Sequence, residues 1–386
     1  MTSHDYSYLF CDLRTDTLIA ELPMSGVSYG YTLNGIGTLS ATIPYADEIL
    51  PLDPETASTP ARTSLYVQRD GKIVWGGIVW TRDTVAGGKS IQAAEFLSYF
   101  QHRYVKTTLS TDTSLLTNTA YVGSTAGGQR LYTDQKYIFW SLLRYAAMQP
   151  GGDIGLDINA LTAPAHGITR EATYFGFERP EIYKAITELA GADDGFDFGI
   201  DVGWSQVTSN TVPTRYRKAR AWFPRRGRSA ADSGLVFSKG GGAGSILSYD
   251  WPEDGTSMVT EMSGLGAGTG EARIVKTSAA QDLLDSGWPL LEGVASYDGV
   301  IDEAQVQGLT NADLTTLSQA QVQPTFEVSA EADPPFGSYE VGDEALFVID
   351  PDRLSPYGRE AVLRIVGIQN TASNGPERVK LTCVGA

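Results

Sequence analysis

The chain reads as a mainly β protein with one α/β part, and three observations predict it. Short apolar runs recur between turns containing Gly, Asn and Asp, the pattern of strands joined by tight connections. Helical spacing is confined to a few segments between residues 134 and 320. At 386 residues, 42% hydrophobic and 19% charged, the chain has room for several packed domains, and its 42 Gly and 18 Pro are dispersed rather than periodic.

The first 105 residues predict a small all-β barrel. Residues 6–13 and 17–22 read as strands across the turn Arg14-Thr15-Asp16, and residues 27–32 and 38–43 flank Asn34-Gly35-Ile36-Gly37. The clearest hairpin runs from Ser64 through Asp70-Gly71 to Trp80, because Asp-Gly favours a two-residue turn with positive φ at both positions. A two-residue turn sets Val67 opposite Val74, Tyr66 opposite Trp75 and Leu65 opposite Gly76. The second strand is apolar on both faces and is expected to be covered on both. A strand from Ser90 runs into 95–100, which has the look of a helical turn.

Residues 106–205 are expected to form the α/β peripheral part. A Thr/Ser/Gly-rich loop spans 108–130. Ile138, Leu142 and Tyr145 align on a helix over 134–148, and Ile182, Ile186 and Leu189 on another over 180–190, opened by Pro180 and closed by Gly191. Strands follow near 196–200 and 214–223. A last helix is predicted over 311–320, and strands near 326–330, 345–349, 361–369 and 378–383 return the chain to an all-β pattern. Cys11 and Cys383 sit on apolar strands and are expected to be free and buried.

Local strings that resemble active-site motifs fit structural roles better. Gly88-Lys89-Ser90 ends like a phosphate-binding loop, but the Gly required five residues before Gly88 is Asp83, and a turn between Val85 and Ser90 accounts for it. The glycines at 264, 266, 268 and 270 precede a strand-like segment instead of the helix a dinucleotide site needs. His4, His102 and His166 have no metal-ligand spacing. Asp193, Asp194, Asp197 and Asp201 are expected to be solvated beside a turn, with Asp197 and Asp201 on the polar side of a strand. No catalytic, cofactor or metal site is predicted, and no segment has the ~20 apolar residues of a membrane span.

Charge narrows the partners. The net charge of −17 argues against gripping duplex DNA or an anionic membrane. Residues 281–386 hold 17 acids and 5 bases, whereas 215–228 alone hold seven bases. Those seven, Arg215, Arg217, Lys218, Arg220, Arg225, Arg226 and Arg228, are candidates for a subunit contact against acidic protein surface.

Three strings resemble the tail-hub family of tailed phages, seen in the central baseplate hub of myophages and in minor tail proteins of siphophages infecting actinobacteria. They are Phe10-Cys-Asp-Leu13 with 17–23 and 32–44, the hairpin 65–78 followed by 96–103, and Gly342-Asp343 followed by Arg364-Ile-Val-Gly-Ile368. The resemblance implies two tube-like β-barrel domains and two peripheral domains. They would be 1–105, 106–205, 206–245 with 310–386, and an insertion at 246–309. It further implies a structural virion protein at the tail tip, not an enzyme: three copies in a ring that joins the tail tube and distal tail protein to the host-facing tip. Its partners would be itself, the distal tail protein, the tape measure protein and tip or fibre proteins, with DNA only in transit. The chain ends soon after its last strands, so no C-terminal lysin or receptor-binding extension is expected. Two other readings stay open: a distal tail protein or other hexameric baseplate ring, and a tail-associated glycan hydrolase using Asp193 and Asp197.

Overall fold

A computed structural model describes residues 4–45, 53–116, 120–121, 129–159, 164–206, 212–240, 244–297, 300–372 and 376–386. The chain divides into two compact units, one built from Met1–Ser248 with Phe326–Val384 and the other from Tyr249–Thr325. The architecture is mainly β.

The first unit begins with seven strands, β1 (Tyr6–Asp12), β2 (Leu18–Glu21), β3 (Ser25–Thr32), β4 (Thr38–Pro44), β5 (Thr63–Arg69), β6 (Lys72–Val85) and β7 (Gly88–Glu95), with a one-turn helix α1 (Pro54–Ala57) between β4 and β5. They lie in the order β3-β4-β7-β6-β5-β1-β2, each antiparallel to the next. Phe10 and Leu22 at one end of this run share a core with Tyr29 and Leu39 at the other, together with Val67, Trp75 and Ile91. The sheet therefore curls around its own inner face, as a barrel does. On the opposite face Leu9, Cys11, Tyr66, Ile73 and Ile78 form a second core with Phe96 and Ile154. Strand β6 thus buries both sides.

Asp70 and Gly71 make the expected turn, with φ of 50° and 77°. The hairpin register differs from expectation by one residue. Gln68 pairs with Ile73, but Val67 then faces Trp75, Tyr66 faces Gly76 and Leu65 faces Gly77. A β-bulge at Val74 inserts the extra residue. The freed Val74 carbonyl accepts from the Tyr31 hydroxyl, while the bulge turns Trp75 into the core, where its indole N–H donates to the Gly30 carbonyl at 3.0 Å. At the far end β7 starts at Gly88, earlier than the expected Ser90, because Lys89 is a ladder residue facing Ile43 and Thr84.

Beyond the 3-10 helix Phe96–His102 come the short strands β8 (Leu109–Ser110), β9 (Ala120–Tyr121) and β10 (Gln129–Arg130) within the stretch predicted as a loop, then helix α2 (Gln135–Met148). The strands β8 and β10 are joined by β11 (Thr173–Tyr174) in one small sheet. Asp134 caps α2 by accepting from the Lys136 N–H at 2.9 Å. Helix α3 (Ile182–Ala190) starts two residues after Pro180, since the 180–182 backbone pairs with 103–105 in extended form. Both helices bury one apolar face in a core with Leu97, Phe100, Phe196 and Phe198. The hairpin β12 (Asp197–Trp204) and β13 (Arg215–Trp222) completes this part.

The unit closes with α4 (Ala230–Ser233), β14 (Val236–Lys239), β15 (Ile246–Asp250), β21 (Thr325–Ser329), β22 (Glu344–Ile349), β23 (Arg359–Thr371) and β24 (Arg378–Gly385). Strand β23 is shared: its first half pairs with β22 and residues 367–371 pair with β3. Phe326 and Phe237 stack on the two sides of Phe347, at centroid distances of 4.2 and 5.1 Å. Cys11 and Cys383 are both free and fully buried. Burial pushes the Cys11 thiol up to about 11.

The second unit contains β16 (Glu253–Asp254), β17 (Glu261–Leu265), β18 (Val275–Ala279), β19 (Glu292–Ser296), β20 (Gln321–Val322) and helices α5 (Gln281–Asp285) and α6 (Glu303–Leu317). The stretch 311–320, expected as a helix, falls largely within α6 and lies in this unit. Asp302 caps α6 by accepting from the Ala304 N–H, so the helix starts at Glu303, eight residues ahead of the predicted start. Its buried stripe, Val306, Thr310 and Leu314, is broken by the polar Thr310, which hid its first two turns. Gly264 admits the helix: a Cβ there would lie 2.0 Å from the Thr310 hydroxyl.

Trp75→Ala is expected to cost about 3–5 kcal/mol of unfolding free energy in a denaturant titration, whereas Val85→Ala at the exposed strand end should cost about 0.5 or less.

Candidate functional site

The residues singled out by sequence lie in a network of arginines and carboxylates inside the first unit. Strand β13 alternates its side chains. Arg217 points inward and is 3% exposed. Its guanidinium donates to Asp16 at 2.7 Å, Tyr66 Oη at 2.6 Å, Ser64 Oγ at 3.0 Å, and the carbonyls of Leu13 (2.7 Å) and Ile154. Its plane lies 4.4 Å from the Phe96 ring centroid. Arg215 also donates to Asp16, at 3.0 Å. The Arg14-Thr15-Asp16 turn of the first barrel is thereby held to β13.

Asp197 gathers a second group. Its carboxylate accepts from Asn34 Nδ2 at 2.6 Å, from the Arg226 backbone N–H at 2.6 Å and from the Arg364 guanidinium. Asn34, at φ 53°, also takes the Phe198 N–H on its side-chain oxygen at 2.9 Å. A third group forms where Arg228 meets fully buried Asp343 at 2.6 Å, Arg225 meets Glu344 at 2.6 Å and Arg226 meets Glu340 at 2.6 Å. Burial raises the Asp343 pKa, but hydrogen bonds from Arg228 and from the Glu340 backbone outweigh it, and the carboxyl sits below its ordinary value.

Two expectations are corrected here. Asp197 is not solvated: at 5% exposure it is the anchor of the second group, because alternation along β12 turns it toward Asn34 and Arg364. Asp201 pairs with Arg220 at 2.9 Å, while Asp193 and Asp194 remain exposed. The basic run is also no free cationic surface. All six arginines engage a carboxylate of the same unit, and Arg217 is too enclosed to meet another subunit. Lys218 packs on the Tyr216 ring at 4.6 Å. The three histidines have separate surroundings: His4 bonds Asp70, His102 packs on Trp80 and His166 on Phe223.

Sequence reasoning missed the acids that receive these arginines. Asp16 and Asn34 carried only turn signals, and Glu340 and Glu344 carried none. Asp343 and Arg364 stood out only through the family resemblance.

Beside the network opens a cleft of about 380 Å³, lined by residues of β3, β7 and β12 and by the 336–341 segment. Glu95 lies on its wall and accepts from the Gly37 N–H at 2.6 Å. Burial pushes its carboxyl up to about 7, against the opposing pull of that hydrogen bond and of Arg226.

No family model and no curated protein sequence matches this chain. Solved structures do. A 43 kDa tail protein of prophage MuSo2 from Shewanella oneidensis superposes with a TM-score of 0.57 at 10% identity, covering 99% of this chain and 98% of that one. The fold is that of phage tail proteins. A tail protein from Neisseria meningitidis MC58 gives 0.55 at 12% identity, with 98% and 96% covered. The Francisella PdpA-VgrG complex, lidless, gives 0.54 at 8% identity, with all of this chain but 65% of that one. The tail-protein fold therefore extends over nearly the whole chain, α/β part included.

Two outcomes are expected of the network. Asp197→Ala leaves Arg364 without its carboxylate partner and two N–H donors without their acceptor, and should cost about 3–5 kcal/mol in chemical denaturation, whereas exposed Asp193→Ala should be near neutral. Glu95 has a folded pKa above its ordinary value, so ionising it costs the folded state. Stability from this group is full below about pH 4.5 and declines as pH rises toward 7. Glu95→Gln should remove that slope, stabilising the protein at alkaline pH relative to wild type.

Proposed function

We propose that this chain is the structural hub of a bacteriophage tail tip, three copies of which form a ring between the tail tube with its distal tail protein and the host-facing tip. The tail-protein fold, matched over almost the full length of this chain and of two tail proteins, carries the reading. In this reading 1–105 is one tube-like barrel. Because β13 pairs with β12, the second barrel is 223–248 with 326–386, and 106–222 and 249–325 are peripheral domains. The two barrels share strand β23, whose halves pair with β22 and with β3. Rings arise when one patch of a subunit meets a different patch on the next. Of the basic run, Arg225 and Arg228 are exposed and Arg215, Lys218, Arg220 and Arg226 partly so, which leaves them available for such a contact.

The proposed role needs no catalytic step. Its ring lets the genome pass without gripping it. A net charge of −17 supplies acids for a wall that repels the DNA backbone over a Debye length of roughly 8 Å. The partners in this reading are a second and third copy of the chain, the distal tail protein, the tape measure protein and tip or fibre proteins.

Imaging of assembled tails at subunit resolution is expected to show three copies around the axis at the tip, with an inner wall of net negative charge. Six copies would instead assign the chain to the distal-tail ring. Turnover of peptidoglycan or another glycan by the purified chain, lost in Asp193→Asn, would replace the structural reading with the hydrolase.

A further inference from the structure

The cleft beside the arginine network holds hydrogen-bonding capacity that the described residues do not use. Arg69 donates through Nη2 to buried Glu377 at 3.0 Å, and Arg226 through Nη2 to Glu340 at 2.6 Å. The Nε–H of each guanidinium has no acceptor among the described residues, and neither has the hydroxyl of Tyr339, a residue 4% exposed. Arg69, Arg226 and Tyr339 all line this one cleft. Most buried polar groups in folded proteins are paired, so three idle donors around a single cavity mark a place where acceptors belong.

The rest of the lining narrows the acceptor. The carboxylates on the wall are occupied: Glu340 by Arg226, Asp201 by Arg220 and Glu95 by the Gly37 N–H. The idle groups are donors, two of them on guanidinium forks whose planar geometry suits a carboxylate. The rings of Tyr31, Phe198, Tyr216 and Phe336 line the same cleft and offer an apolar bed for a ligand body.

We propose that this cleft binds a carboxylate carried on an apolar or aromatic body. The Arg69, Arg226 and Tyr339 donors take the oxygens and the aromatic bed takes the body. The carboxylate belongs either to a free organic acid or to a glutamate on a peptide segment of a neighbouring tail component. Glu95 tunes the site. Besides the Gly37 N–H, the charged or titratable groups acting on it are Arg226, Tyr31 and Tyr183. Once ionised, it sets a negative charge on the wall and opposes the ligand.

Calorimetric titration of the full chain with 3-phenylpropionate, 3-phenylpropanamide and the peptide acetyl-Phe-Glu-amide, at constant ionic strength, tests this. The propionate or the peptide is expected to bind saturably near pH 6, with the amide weaker by about tenfold or more. Tyr339→Phe, which removes only the hydroxyl, and Arg226→Lys, which removes the fork, should each weaken binding about fivefold or more. Glu95→Gln should abolish the loss of affinity between roughly pH 6 and 8. Tighter binding of the peptide assigns the site to a partner segment, and tighter binding of the propionate to a free acid. Absence of saturable binding by both carboxylates, equal binding of the amide, or full affinity in both donor variants overturns the proposal.

Discussion

The Asp197 carboxylate is the constraint on which the first unit depends. It receives Asn34 from the turn between β3 and β4, the Arg226 backbone after β13 and the Arg364 guanidinium on β23. Those partners come from three stretches separated by more than a hundred residues. A buried carboxylate without such donors would be strongly unfavourable, so the three segments must arrive together for the strand bearing it to pack. Arg217 does the mirror task on the same hairpin, gathering Asp16, Leu13, Ser64, Tyr66 and Ile154. One β-hairpin thus offers an anion and a cation that pin it to the barrel from both ends.

This arrangement explains how so acidic a chain carries so basic a segment. Between Asp201 and Asp232 the sequence has no acid, yet nearly every base there is neutralised by a carboxylate brought from elsewhere: Asp16, Asp201, Glu340, Asp343 or Glu344. Buried pairs of this kind give geometric selectivity more than net stability, since desolvation offsets much of their attraction. A continuous sheet needs that selectivity, because hydrophobic burial alone leaves register and docking angle loosely set. The shared strand β23 adds a covalent and hydrogen-bonded tie between the β22 side and β3.

The cleft lined by Arg69, Arg226 and Tyr339 opens beside these ionic pins, and its idle donors make it chemically distinct from a simple packing defect. The second unit is of another kind. Its residues 249–325 hold twelve acids and two bases, and its small sheet and α6 pack around few large side chains.

The sequence by itself determined the local elements. Alternating apolar residues and the Asp70-Gly71 turn specified the first hairpin, and the stripes Ile138-Leu142-Tyr145 and Ile182-Ile186-Leu189 specified α2 and α3, because period and turn chemistry act within a few residues. Burial of Cys11 and Cys383 was legible for the same reason. The bulge at Val74 was not, since it is settled by the Tyr31 hydroxyl and the Gly30 carbonyl reached across the barrel. Nor was the early start of α6, whose buried stripe is broken by Thr310. The fate of the charges lay furthest from view. Asp197 read as a solvated strand residue and 215–228 as a basic surface, because a side chain's ionic partner is chosen by long-range folding, and only the tertiary structure decided that these residues face one another.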